Sequence, residues 1–149
     1  MEARMKSPVT PDVATAIQYL TKAIEAGGAD GPLLELVHLR VSQINGCGPC
    51  VYGGIASAKK HGESDERLHG VAAWRETPLF SEEERAALAL AEAATRIQDG
   101  APGVSDAIWD AAADHFDEKQ LSSITLLIAM TNFFNRINHI TREPAGKTW

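Results

Sequence analysis

The most constraining feature of the sequence is the segment from Glu35 to Cys50, where a helical pattern passes through a turn into a pair of cysteines. Apolar residues recur at helical spacing up to position 44, Asn45-Gly46 is a turn signal, and Cys47-Gly48-Pro49-Cys50 follows. Proline is tolerated in the first turn of a helix, so the cysteine pair is expected to open a new helix. The segment therefore predicts two helices that fold back on each other near position 46.

The rest of the chain carries the same helical signature. Apolar residues recur at spacings of three and four, and no segment longer than a few residues alternates as a strand does. Ser81 with Glu84, and Asp117 with Gln120, have the spacing of capping boxes. We therefore expect an all-α chain of six to seven helices that forms one domain over residues 1–149. The predicted helices cover residues 11–27, 31–44, 48–60, 65–73, 82–100 and 106–112, and a last helix begins at 118 and ends before Glu143-Pro144.

Composition narrows the classes of function. Hydrophobic residues make up 44% of the 149 residues and charged residues 23%, as in a globular protein with a sizeable core. The net charge is −6 and no basic cluster exceeds Lys59-Lys60, which argues against nucleic-acid binding. No apolar run approaches the roughly 20 residues that span a bilayer, and the N-terminus lacks the apolar core of a secretory signal. We expect a cytoplasmic protein that binds neither nucleic acid nor membrane.

Cys47 and Cys50 are the only cysteines in the chain. At a helix start, unpaired backbone N–H groups and the positive end of the helix dipole favour the thiolate, which is the form that attacks peroxides and disulfides. Two other interpretations stay open. The cysteines can be small buried hydrophobes, or they can bind zinc together with His61 and His69, although this ligand spacing is not a common one.

The motif around these cysteines resembles the carboxymuconolactone decarboxylase family, and within it the AhpD-like alkylhydroperoxidases. That family signature is a glutamate, eleven intervening residues, Cys-x-x-Cys, three residues and a histidine. Glu35, Cys47 and Cys50 match it in type and spacing, whereas Gly54 stands at the histidine position. The resemblance continues through residues 73–75, 78–80, 84–88 and 135–138, so it covers most of the chain.

The resemblance implies a proton relay that Gly54 interrupts. Position 54 is one helical turn after Cys50, and a folded-back helix pair places it opposite the helix that carries Glu35. In the family relay, the glutamate orients the imidazole and the imidazole takes the cysteine proton. Water can fill the space at Gly54, His38 can enter it from three residues after Glu35, or the peroxidase step can be lost.

Each of these residues also has a structural interpretation. Glu35 can be a solvated charge in a helix first turn, and His38 a surface histidine. The polar run Asn135-Arg136-Ile137-Asn138-His139 can be the exposed end of the last helix, which we favour, or it can line the thiol site or a subunit contact. The last helix is apolar on most sides, so it lies at the centre of the core or in a subunit contact.

The function implied by the resemblance is that of an AhpD-like dithiol oxidoreductase. Cys50 attacks a hydroperoxide, Cys47 resolves the sulfenic acid as a disulfide, and Glu35 and His38 are the candidate relay residues. An external thiol protein supplies the reductant, no cofactor or metal is required, and the chain forms a homo-oligomer, a trimer or a hexamer. The alternatives are a decarboxylase acting on a γ-lactone carboxylic acid, and a non-catalytic oligomeric redox sensor.

Overall fold

The computed structural model describes residues 2–5, 7–97 and 103–146. Within these ranges the chain forms seven α-helices and one 3₁₀ helix and contains no β-strand, which confirms the predicted all-α class. The α-helices are α1 (Pro11–Ala26), α2 (Gly31–Ile44), α3 (Gly48–Lys60), α4 (Asp65–Gly70), α5 (Glu82–Thr95), α6 (Asp106–Ala113) and α7 (Glu118–Thr141), and the 3₁₀ helix is Val71–Glu76.

Helix α2 lies at the centre of the fold because both hydrophobic clusters are built on it. Leu33, Val37 and Val41 pack against buried residues of α5, α6 and α7. Leu36 and Leu39 pack in a second cluster with α3, α4, the 3₁₀ helix and α5. The helical period thus gives α2 two apolar rows. Two of its polar residues, Glu35 and His38, face α3.

Helix starts follow the sequence signals closely. The side chain of Ser81 accepts the Glu84 backbone N–H, and that of Asp117 accepts the Gln120 backbone N–H, each within a complete capping box. Helix α3 has the predicted bounds 48–60. Capping boxes therefore mark the starts of α5 and α7, whereas α3 begins without a side-chain cap and with a proline in its first turn.

Two helix ends differ from the prediction. Helix α4 ends at Gly70 and the chain tightens into the 3₁₀ helix, which brings Trp74 into the core. Helix α5 ends at Thr95 and not near position 100. Residues 98–102, which include most of the loop expected at 101–103, lie outside the described residues.

A buried ion cluster joins α2, the 3₁₀ helix and α5. The Glu92 carboxylate accepts hydrogen bonds from Arg40 Nε at 2.7 Å and Trp74 Nε1 at 3.0 Å, and it pairs with Arg75. Burial alone raises the pKa of Glu92, but the hydrogen bonds from Arg75, Trp74 and Arg40 outweigh it and hold the pKa below its ordinary value. The carboxylate is therefore ionised, and both of its oxygens accept hydrogen bonds.

Helix α7 combines two kinds of surface. Leu121, Ile124 and Ile128 are buried in the core, whereas Phe133 and Ile140 are exposed. This agrees with the expectation of a central helix and leaves apolar surface on its outer side. Among the described helices, none has both the length and the apolar character that crossing a bilayer requires.

Candidate thiol site

The two cysteines lie where α3 begins. Cys47 is the N-cap residue, Cys50 is in the first turn, and a disulfide joins them. The preceding Gly46 has a φ of 66°, a left-handed conformation that glycine adopts readily. The Cys47 N–H then donates to the Ser42 carbonyl at 3.0 Å. The predicted turn and helix start thus place both sulfurs at the N-terminus of α3.

The two sulfur-bearing side chains differ in access. Cys50 is 9% exposed, whereas Cys47 is 1% exposed. Cys50 is the third residue of α3, close to the positive end of the helix dipole. Cys50 is therefore the more accessible of the two residues, and it lies where the helix dipole favours a negative sulfur.

An amide group of α7 covers both sulfurs. Asn138 Nδ2 donates to Cys50 Sγ at 3.1 Å and to Cys47 Sγ at 3.6 Å. Asn138 is only 5% exposed, and its Oδ1 is buried with no hydrogen-bond partner in the described part of the chain. The favoured prediction of an exposed helix end is therefore wrong at Asn138, because α7 runs on to Thr141 with this face turned inward.

A second amide network holds the turn before the cysteines against α7. Asn45 Nδ2 donates to Asn132 Oδ1 at 2.9 Å and to Asn135 Oδ1 at 2.8 Å, and Asn135 Nδ2 donates to Ser42 Oγ at 3.3 Å. His139 Nε2 lies 2.6 Å from the Asn45 carbonyl oxygen. Asn135 is buried, so the exposed-end prediction is also wrong there. These bonds join the end of α2 to α7 and do not include either sulfur.

A sequence signal for this buried polar face exists and was overlooked. Thr131, Asn135 and Asn138 follow one another at spacings of four and three, so they share one face of α7. All three are buried. Polar residues at helical spacing inside an otherwise apolar helix indicate an internal polar face, and this pattern separates the asparagines from the exposed Arg136 and His139.

On the other side of the site, His38 of α2 faces Gly54 of α3. A Cβ atom added at Gly54 would lie 2.8 Å from His38 Nδ1 and 2.9 Å from His38 Cε1. Real side chains do not approach so closely, so the imidazole occupies the space that a side chain at position 54 would need. Because Gly54 is one turn after Cys50, the imidazole and the disulfide flank the same stretch of α3.

Glu35 lies beside this imidazole. Its Oε1 accepts the Ser57 hydroxyl at 2.6 Å and is 3.5 Å from His61 Nδ1. Burial lowers the pKa of His38, and the smaller effect of the nearby Glu35 carboxylate opposes the shift. His38 is therefore neutral at neutral pH and able to accept a proton. Glu35, His38 and Gly54 line a cavity of about 270 Å³.

The structure does not support a zinc site at the cysteines. Among the described residues, no three His, Cys, Asp or Glu side chains lie close enough together to hold a metal ion. His61 lies at the C-terminal end of α3, with its Nδ1 near the Ser57 carbonyl, and His69 is exposed on α4. The two sulfurs are bonded to each other.

Similarity to known proteins assigns the family. The family model described as the carboxymuconolactone decarboxylase family matches residues 11–93, which is more than half of the chain. The chain belongs to the carboxymuconolactone decarboxylase family. The expected membership is thus confirmed. Within the matched segment lie Glu35, His38, Cys47, Cys50 and Gly54.

Relatives of this family member agree with the assignment. It is 32% identical over 130 residues to the uncharacterized protein YdfG of Bacillus subtilis (strain 168), covering 87% of each chain. The crystal structure of ATU0492 from Agrobacterium tumefaciens, a candidate antioxidant defence protein AhpD of unknown function, matches with a TM-score of 0.88 and 28% identity, over 99% of this chain and 100% of that one.

The same fold also occurs in a debrominase. The structure of the debrominase Bmp8 matches with a TM-score of 0.78 and 24% identity, over 91% of this chain and 72% of that one. At this identity the similarity concerns the fold alone. The activity of this family member therefore has to be argued from its own site.

Proposed function

We propose that this protein is a thiol-dependent peroxidase, an AhpD-like dithiol–disulfide oxidoreductase that reduces hydroperoxides through Cys47 and Cys50. The observation that carries the proposal is the disulfide at the N-terminus of α3, with Cys50 the more accessible of the two sulfur-bearing side chains. Two cysteines that form a disulfide with each other at a helix N-terminus, where thiolates are favoured, are suited to repeated oxidation and reduction.

The proposed reaction balances as follows. The Cys50 thiolate attacks the terminal oxygen of the hydroperoxide, the O–O bond breaks, and the alkoxide takes a proton and leaves as an alcohol. Cys50 becomes a sulfenic acid. The Cys47 sulfur then attacks Cys50 Sγ, which forms the disulfide and releases water. An external dithiol protein transfers two electrons to the disulfide and is itself oxidised.

We assign the proton relay to His38 and Glu35. A neutral imidazole can take the thiol proton of Cys50 and deliver it to the leaving alkoxide, and the Glu35 carboxylate stabilises the imidazolium that forms in between. Support comes from the position of His38 in the space above Gly54 and from the pKa of His38, which burial lowers. In this protein the relay histidine is thus supplied by α2, whereas the family motif supplies it from α3.

We also propose that the protein acts as a homo-oligomer, a trimer or a hexamer, in the cytoplasm, where an external thiol protein can reduce it. The exposed Phe133 and Ile140 of α7, and an apolar groove that Ile17, Leu20 and Phe133 line between α1 and α7, support self-association. Sedimentation of the purified protein tests this proposal, and a monomer at all concentrations would contradict it.

The experiment that tests the function measures consumption of an alkyl hydroperoxide by the purified protein with a dithiol reductant. We expect turnover by wild type, background rates for Cys50→Ser, and for Cys47→Ser a single oxidation at Cys50 without turnover. If wild type forms the disulfide once and does not turn over, the redox-sensor alternative replaces the enzyme. If it instead converts a γ-lactone carboxylic acid, the decarboxylase alternative does.

A further inference from the structure

Among the described residues, Asn138 is the one whose side chain is hydrogen-bonded to the sulfurs. Its Nδ2 is 3.1 Å from Cys50 Sγ and 3.6 Å from Cys47 Sγ. Sulfur atoms of a disulfide can only accept hydrogen bonds, so the NH₂ group and not the oxygen must face them. The amide oxygen of Asn138 is buried and has no partner in the described part of the chain.

A buried amide oxygen without a partner is unfavourable, which is why such atoms are rare in folded proteins. Here the oxygen belongs to the same amide that contacts the sulfurs, and reduction of the disulfide creates a new donor beside it. Cys47 is almost completely buried, so a thiol proton on Cys47 has little access to water. In the reduced state the buried Cys47 thiol is therefore a suitable hydrogen-bond donor for the unpartnered Asn138 Oδ1.

We propose that Asn138 is a positioning residue that determines which sulfur is ionised in the reduced protein. When an external dithiol reduces the disulfide, the S–S bond breaks, and two electrons and two protons leave the dithiol. Cys47 keeps one proton as a thiol, and Cys50 gives up the other to solvent or to the proposed His38 relay. Asn138 Nδ2–H then donates to the negative Cys50 sulfur, while the Cys47 thiol donates to Asn138 Oδ1. The one amide thus holds Cys50 as thiolate and Cys47 as thiol, which is the distribution that peroxide attack by Cys50 requires.

Other groups near the sulfurs do not provide this discrimination. On α2, His38 packs against Gly54, one turn after Cys50, and lines a cavity there together with Glu35. On α7, His139 Nε2 is hydrogen-bonded to the Asn45 backbone carbonyl. Beyond α7, the Glu143 backbone N–H donates to the backbone carbonyl of Asn138 and not to its side chain. Within the described residues, the hydrogen bonds to sulfur from side chains come from Asn138 alone. The α3 dipole favours negative charge at the helix start, and the amide adds a directed donor at Cys50.

This inference rests on the proposed function only in taking Cys50 as the reacting sulfur. It is tested by an equilibrium property, the thiol pKa of the reduced protein, which does not require turnover. Absence of peroxidase activity would therefore remove the proposed function and leave the inference standing. Conversely, an active enzyme with an insensitive thiol pKa would overturn the inference alone.

The experiment titrates the lower thiol pKa of the reduced protein by thiolate ultraviolet absorbance and by the pH dependence of alkylation. Asn138→Leu keeps the approximate volume and removes both the donor and the acceptor. We expect the pKa to rise by about one unit, a tenfold loss of thiolate below the pKa. Asn138→Ala should give a shift in the same direction, so the result does not depend on how well leucine fits.

Asn135→Ala is the matched control, because Asn135 is buried on the same face of α7 one turn earlier and bonds Ser42 and Asn45 but no sulfur. It should lower stability and leave the thiol pKa at its wild-type value. Equilibration with glutathione gives a second readout, in which Asn138→Leu should favour the disulfide by up to tenfold, about 30 mV. A folded Asn138 variant with the wild-type pKa, or an equal shift in Asn135→Ala, would overturn the proposal.

Discussion

The carboxylate of Glu92 and the amide of Asn138 are both buried inside the helical core, but their surroundings differ. The Glu92 carboxylate accepts hydrogen bonds from Arg40, Arg75 and the Trp74 indole, so its charge is compensated within the fold. The Asn138 Nδ2 group donates hydrogen bonds to two sulfurs, whereas its Oδ1 has no hydrogen-bond partner among the described residues. The fully paired Glu92 cluster therefore stabilises the fold. The half-paired Asn138 amide is suited to a sulfur whose negative charge is present only in the reduced protein.

The largest effect that we predict is the loss of folding stability when the buried ion cluster around Glu92 is disrupted. Glu92→Gln leaves the largely buried Arg40 guanidinium without its counter-charge, so it should reduce the free energy of unfolding by about 3 kcal/mol. Urea denaturation measures this loss, and Arg75→Ala, which removes a half-exposed partner, is the milder control. The thiol pKa should not move in either variant. A loss below about 1 kcal/mol in Glu92→Gln would show that the cluster is not essential to the fold.

The next prediction concerns the relay. His38→Ala should slow hydroperoxide consumption about a hundredfold, because a general base in the relay contributes that order of rate. Adding Gly54→His to His38→Ala should restore much of the rate, since the space next to Gly54 is then free for an imidazole from α3. Gly54→His alone should not improve on wild type, because His38 fills that space. A wild-type rate in His38→Ala would remove His38 from the mechanism.

A smaller effect separates the two asparagines of α7. Asn135→Leu removes the partner of Ser42 and one acceptor of Asn45, so it should cost about 1–2 kcal/mol. Asn138→Leu should cost less, because it removes a buried oxygen that has no partner to lose. Parallel denaturant titrations of the oxidised variants give this ranking. The reverse order would mean that Asn138 contributes to the fold as Asn135 does.

The smallest predicted effect is a pH dependence of stability. His38 has a pKa below 6.5 in the folded state, so the unfolded chain binds its proton at higher pH than the folded chain does. Stability should therefore decrease as the pH falls from about 6.5 towards the folded pKa, and be constant above this window. The pKa of Glu92 is also lowered, and its stabilisation is lost only as the pH falls below about 4.5.

His38→Gln tests this assignment, because glutamine does not titrate. In this variant the unfolding free energy should no longer decrease as the pH falls below about 6.5. The decrease below about pH 4.5, which belongs to Glu92, should remain. Loss of the acid decline together with the one near pH 6.5 would mean that the two groups are coupled, contrary to their placement on different helices, His38 on α2 and Glu92 on α5.

Much of the fold could be predicted from the sequence because its signals are local. Capping boxes at Ser81 and Asp117, and the proline in the first turn of α3, act within one helical turn, and the structure has those helix starts as expected. The end of α4 could not be predicted in this way. It depends on Trp74 reaching Glu92 and the core, a contact with another helix.

The site was predicted less completely, for the same reason. The positions of Cys47, Cys50 and the glycine opposite α2 follow from spacing along neighbouring helices. The contact between Asn138 and Cys50 joins positions 88 residues apart, and only the packing of α7 against α3 brings them together. The asparagine spacing on α7 carried a partial signal, but it does not say which buried group the amides meet.

The measurement that tests the account most directly is the pKa of the Cys50 thiol in the reduced wild-type protein, from thiolate absorbance and the pH dependence of its alkylation. The α3 dipole and the Asn138 amide should hold this pKa clearly below about 8.5, the value of an unassisted cysteine. A Cys50 thiol that titrates at or above that value would contradict the account, because neither the helix start nor the amide would then stabilise a thiolate.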